Sequence, residues 1–252
     1  MFTGIGLIAF CCIFGAGLAG VLLHKILPEN QRTEAIQKTV QTAMNVVAIL
    51  AALVLGLLIA SAKTSFDTRS KEIEQFSANL TLLDRELQHF GQDEKDTRAL
   101  LRDFTARKIA QTWRTDRNSL PAIDDVQTVQ TLDDIEDRLR VLMPQTEIQR
   151  AARSSALKLA GKLKRTSRLL AVQESGQTPR PFLVVVIFWL SILFVSYTVF
   201  APFKATVVAT ILVGALSVSI AVNLIFDMDH PFAGFIKISS APMQQALEKM
   251  RP

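Results

Sequence analysis

Four stretches of the chain contain no Asp, Glu, Lys or Arg: residues 2–23, 39–62, 181–203 and 205–226, each 22 to 24 residues long. About 20 helical residues cross the roughly 30 Å hydrocarbon core of a bilayer, so each stretch predicts a transmembrane helix. The four pair into two hairpins. The first is joined by the polar linker HKILPENQRTEAIQK, where Pro28 breaks the helix, and the second by the tight FAPFKA turn around Pro202. The first stretch has neither a basic leader nor a small-x-small site, and reads as a retained span.

Between the hairpins lie the 118 residues of 63–180, rich in helix formers and poor in Gly and Pro. Phe66, Ile73, Phe76, Leu80, Leu83, Leu87 and Phe90 recur there at spacings of seven, three and four, a heptad seam that skips one position. Nothing separates this seam from the second apolar stretch, which predicts one long helix through both. A second helix is expected from Asp93 as N-cap through Leu100, Leu101, Phe104, Ile109 and Trp113. A third covers 124–143, with Val129, Leu132, Ile135, Leu139 and Leu142 inward. A fourth covers 146–173 and carries the basic run KLKRTSR, and a loop ESGQTPRP follows.

Charge orients this arrangement. Four spans put both termini and the 63–180 insert on one side, which holds 24 of the 28 Lys and Arg. Only Lys25, Arg32, Lys38 and Lys204 fall on the other. Lys63, Arg69, Lys71 and Arg180 flank the span ends, and positive flanks stay inside. The insert is therefore expected to be cytoplasmic, in a bacterial inner membrane. The 24 basic and 21 acidic residues on that side make a mixed solvated surface, not the concentrated basic patch of a nucleic-acid binder.

Candidate chemistry is sparse. His24, His89 and His230 do not lie at metal-ligand spacing, and no phosphate loop, nucleophile elbow or Cys–His arrangement appears. Cys11 and Cys12 fit as small apolar packing residues of the first span. No enzyme and no cofactor are expected. In the second span, Ala48, Ala52, Gly56 and Ala60 form a small-residue stripe that permits close helix approach. Ile49, Leu53 and Leu57 form a large apolar stripe one position round, and Asn45 and Gln41 lie toward the outer end. Two readings fit. The helix is packed in a bundle with Asn45 bonded to a neighbour, or it lines a pore: Asn45, Ile49, Leu53 and Leu57 then face the axis as a dewetting constriction, and the small stripe packs against adjacent subunits.

The fourth span closes on LIFDMDHPFAGFIKISSAP. Acids at a helix C-terminus cost about 0.3–1 kcal/mol when exposed, because the dipole there is negative. Asp227 and Asp229 thus pair with basic residues (KLKRTSR, Lys63 or Arg69), bind a cation, or lie exposed at the interface. Pro231 ends the helix, and Gly234 permits a turn laying FIKISSAP along the membrane surface.

GLLIASAKTSFDTRSKEIEQFSANLTLLDREL and LIFDMDHPFAGFIKISSAPMQQAL together resemble a bestrophin-like family of bacterial membrane proteins. Phe66 and Arg69 match its F-x-x-R signature. Asp227, Asp229, Pro231, Phe232, Gly234, Ser240 and Pro242 match the acid-x-D-x-P-F-x-G motif and the Ser and Pro after it. EQFSAN departs from the family's acid-Ala-Asn run, keeping Ala78 and Asn79. The resemblance implies an oligomeric ion channel, usually a pentamer, whose second helix lines a neck with large apolar residues four apart. It also implies calcium as a candidate ligand after the fourth span, where Asp227 and Asp229 stand; two acids are few for a cation that takes six to eight oxygens.

The expected fold is thus an all-α membrane protein with four transmembrane helices in two hairpins and a helical cytoplasmic insert. Its segments are 1–62, 63–180, 181–226 and a C-terminal 227–252 packing on the membrane-proximal region. Its expected function is a homo-oligomeric channel for small inorganic ions in the lipid bilayer, with a gating clasp at Asp227, Asp229, Pro231, Phe232 and Gly234. The alternative is a non-conducting scaffold or signalling protein docking a partner through its cytoplasmic helices. A solute transporter is disfavoured because no span is broken by Pro near its midplane.

Overall fold

The computed structural model describes residues 4–26, 28, 33–113, 124–173, 180–232 and 236–250. All regular structure among them is helical. In chain order the α-helices are α1 (Gly4–Ile26), α2 (Glu34–Gln88), α3 (Lys95–Thr112), α4 (Asp124–Val141), α5 (Glu147–Gln173), α6 (Arg180–Thr198), α7 (Ala205–Asp229) and α8 (Ala241–Lys249). Residues 1–65 with 177–229 form one compact unit, and residues 66–176 with 230–252 form another. Helix α2 contributes to both.

Helix α2 is 55 residues long, about 80 Å at 1.5 Å per residue. No proline occurs between Pro28 and Pro121, so no residue in that interval lacks an amide donor or clashes with the preceding turn. The helix ends where Gly91 adopts φ +69°, a left-handed conformation that costs glycine least. A 3-10 turn over Gly91–Glu94 follows, so α3 begins at Lys95 with Glu94, not Asp93, as its cap. The left-handed glycine inserts a tight turn that helical periodicity does not register.

Among the described residues four helices are long and apolar enough to cross a membrane: α1, α2, 181–198 of α6, and α7; their apolar stretches lie in the first unit. Helix α1 packs against α6 and α7, and small residues set the approach. A Cβ placed on Gly20 would lie 2.8 Å from the Val195 carbonyl oxygen, and one on Gly17 would strike the Ile211 side chain. Where lipid tails are as apolar as leucine, close backbone packing and interhelical hydrogen bonds hold helices together. Both are present here. The Ser219 hydroxyl donates to the Gly6 carbonyl, and His24 Nδ1 lies 3.0 Å from the Val199 carbonyl oxygen. Ala9, Ala62, Leu183, Val222 and Ile225 form the buried apolar centre of this unit.

The second unit is built on the heptad seam. Ile73, Phe76, Leu80, Leu83 and Leu87 are buried in one core with Leu101 and Phe104 of α3, Leu132, Ile135 and Leu139 of α4, and Leu163 of α5; Phe90, the last of the seam, is buried outside that core. Leu142 packs at its edge; the side chain of Val129 and the ESGQTP stretch lie outside the described residues. Ile238, Met243 and Met250 join the same core. The chain after α7 therefore does not lay Ile238 against a surface. It is drawn inward, and α8, absent from the sequence reading, closes over the core. Met243 and Ala246 are its buried positions, too few turns to show a helical period.

Candidate functional site: the second span and the end of α7

Within the chain, α2 is the least covered of the four apolar helices. Only 6% of its most apolar window is buried, against 33% for α1. Its inward contacts come from Ala62, Leu55, Leu58 and Ile59. Ile49, Leu53 and Leu57 stand 68, 59 and 62% exposed, in one line along the helix. Most of the small-residue stripe is also uncovered by the described residues. Ala52, Gly56 and Ala60 are exposed, Ala48 is half-buried, and a Cβ added to Gly56 would find no atom within 4 Å. Both stripes therefore lie bare on the protomer.

Asn45 behaves differently. It is exposed, yet its side-chain oxygen accepts a hydrogen bond of 2.5 Å from the Tyr197 hydroxyl of α6. A polar pair in an apolar stretch satisfies both groups, which would otherwise be costly to leave bare in lipid. The sequence offered Asn45 as needing a partner; it gave no means of choosing Tyr197.

At the far end of the last span, α7 runs through both aspartates and stops two residues before Pro231. The residue before a proline is disfavoured in the α region, which fits an end at Asp229. Asp227 and Asp229 are buried, 4 and 7% exposed, so exposure at an interface no longer accounts for them. Asn223, one turn earlier, offers its amide to Asp227 Oδ2 at 3.5 Å. Among the described residues no group of three or more His, Cys, Asp or Glu is placed to hold a metal ion. Pro231 and Phe232 belong to the second unit. There the Phe232 ring packs edge-on against Trp113 at 5.7 Å, and the Pro231 carbonyl accepts the Ile238 amide at 2.9 Å. Gly234 lies outside the described residues.

These features carry a family. The model of the Bestrophin-like domain matches residues 11–243, nearly the whole chain. The chain belongs to the Bestrophin-like family. Solved structures agree in fold. A bacterial bestrophin homologue from Klebsiella pneumoniae superposes with a TM-score of 0.68 at 10% identity, over 97% of this chain and 96% of that one. A point variant of that homologue gives 0.66 at 13% identity over 94 and 98%. A crystal structure described only as a membrane protein gives 0.71 at 12% identity over 97 and 96%. At such identities the fold alone is shared. No curated protein sequence matches the chain. As a membrane protein of the Bestrophin-like family, the chain has the all-helical architecture that its apolar pattern predicts.

Proposed function

We propose that this protein is a homo-oligomeric channel, a pentamer as the resemblance favours, that passes small inorganic ions through a central pore lined by α2. The observation that carries the reading is the bareness of the apolar part of α2. An apolar helical stretch long enough to span a bilayer and nearly uncovered in its own protomer needs either lipid or copies of itself around it. Two distinct stripes, one large and one small, suit a helix with two different neighbours. Ile49, Leu53 and Leu57 face the axis and constrict it by dewetting. Ala48, Ala52, Gly56 and Ala60 face the adjacent subunit. Membership of the Bestrophin-like family supports the same reading.

The positive flanks at Lys63, Arg69, Lys71 and Arg180 support an orientation with the termini and the 63–180 insert in the bacterial cytoplasm. Asp227 and Asp229 act as a clasp at the cytoplasmic end of the fourth span. The scaffold alternative relied on the heptad seam to dock a partner. That seam is filled by α3, α4 and α5 of the same chain, which disfavours it.

The test is single-channel recording in planar bilayers of the purified protein against the triple variant Ile49→Ala, Leu53→Ala, Leu57→Ala. Discrete currents that are enlarged or prolonged by the triple change support the pore. Silence from both proteins across salts, voltages and calcium levels overturns it.

A further inference from the structure

The basic run on α5 divides its charges between two sides. Lys164 turns toward α4, where its ammonium meets Asp133 and lies 3.5 Å from Glu136. Lys162 and Arg165 turn toward α2. With Thr166 of α5 and Gln75, Ala78 and Asn79 of α2 they line a cavity of about 340 Å3 in the second unit.

Its lining is one-sided in chemistry. Lys and Arg carry only donors, and amides and a hydroxyl supply further ones. Among the described residues no carboxylate lines the cavity. Lys162 and Arg165 make no ion pair with any described residue, and the side chains of Gln75, Asn79 and Thr166 make no hydrogen bond with one. Lys164, two positions from Lys162, pairs its cation within the chain; Lys162 and Arg165 are exposed and stay without an ion pair to a described residue. Two cations three residues apart lie on one helical face. An Arg fork beside a Lys point charge suits an anion with several oxygens, the fork binding two of them and the ammonium a third.

We propose that this pocket binds a phosphate monoester, with Arg165 and Lys162 holding the phosphoryl oxygens and Gln75, Asn79 and Thr166 completing the donor set. The cavity is larger than a halide needs and leaves room for the ester substituent. The same chemistry is presented by a soluble phosphate such as glycerol 3-phosphate and by the headgroup of phosphatidic acid.

Equilibrium dialysis of radiolabelled glycerol 3-phosphate against the full-length protein in detergent tests the site. Wild type is expected to bind saturably, one per chain. The double variant Lys162→Gln, Arg165→Gln is expected to bind at least tenfold more weakly. Because the double variant removes two solvating charges, Gln75→Glu serves as a second probe. It changes one exposed side chain and places an anion in the lining, and the same tenfold loss is expected with the thermal midpoint and oligomer size unchanged.

A second arm repeats the dialysis in phosphatidylcholine nanodiscs with and without phosphatidic acid. Displacement of the soluble ester by phosphatidic acid in wild type assigns the site to the lipid; undiminished binding assigns it to a soluble phosphate. Absence of saturable binding in both arms overturns the proposal. Equal binding by wild type and Gln75→Glu overturns it as well.

Discussion

Tyr197 of α6 donates its hydroxyl proton to the side-chain oxygen of Asn45 on α2, across 2.5 Å. It ties the most exposed apolar helix of the chain to the helix that follows the insert. Hydrogen bonds between transmembrane helices contribute on average about 0.6 kcal/mol in double-mutant cycles. The cycle Tyr197→Phe with Asn45→Ala is expected to give a coupling of about that size in thermal unfolding of the detergent-solubilised protein. Additive effects would mean that the two side chains do not act as a pair.

Two glycines are expected to respond in opposite ways. Gly20→Ala drives a methyl to 2.8 Å from the Val195 carbonyl, which the backbone of α6 has to yield to. Overpacking of this kind costs about 1–3 kcal/mol, read as a lowered unfolding midpoint. Gly56→Ala meets no atom of its own chain, and its protomer should be unharmed or slightly stabilised by better helix propensity. Gly56→Leu then reports on the neighbour. If the small stripe contacts an adjacent subunit, size-exclusion chromatography with light scattering will show the oligomer weakened while the helical circular dichroism is retained.

Much of this was legible in the sequence, for a physical reason. A span must keep about 20 residues free of charge, and a buried seam must repeat at three and four, so the four apolar helices and Ile73 to Leu87 declare themselves. Three things did not. Gly91 is one glycine among 11, and only its positive φ shows that it shifts the start of α3. Helix α8 is nine residues long, too short for a period to stand out. The partner of Asn45 depends on which helices meet, and apolar pattern alone is silent on that. Both aspartates were marked as anomalous from the helix dipole, but only their burial showed that they do not lie exposed.

Asp84 lies buried on α2 and is held in a fork by Arg98 of α3, Nε to Oδ1 at 2.8 Å and Nη2 to Oδ2 at 3.2 Å. The hydrogen bond to Asp84 raises the Arg98 pKa from its ordinary value despite the opposing effect of burial, so the guanidinium stays charged over any working pH. Removing one partner of a buried pair strands the other and costs about 3–5 kcal/mol. Arg98 is partly open to solvent, so Arg98→Ala is expected near the low end, about 3 kcal/mol, by thermal unfolding. The double change Asp84→Leu, Arg98→Met leaves no stranded charge and should restore most of the loss. Equal midpoints for the single and double variants would show that the carboxylate is hydrated once Arg98 is gone.

Trp113 adds a polar and an aromatic contact to the apolar packing that holds the chain beyond α7 in the second unit. Trp113 donates its indole N–H to the Ile238 carbonyl at 2.7 Å and receives the Phe232 ring edge-on. Trp113→Phe keeps an aromatic body for Phe232 and removes only the donor, leaving the Ile238 carbonyl without it. The expected loss is about 1–3 kcal/mol, the desolvation cost of an unsatisfied buried acceptor, and it should be local. Hydrogen exchange read by mass spectrometry is therefore expected to quicken over 236–250, while α3 and the 66–88 part of α2 keep their protection. The locality follows from the core itself: Leu80, Leu83, Leu101, Ile135 and Leu163 are fully buried there and do not depend on the indole. If protection fell equally across the unit, Trp113 would be part of that central packing and not a tether for the C-terminal segment.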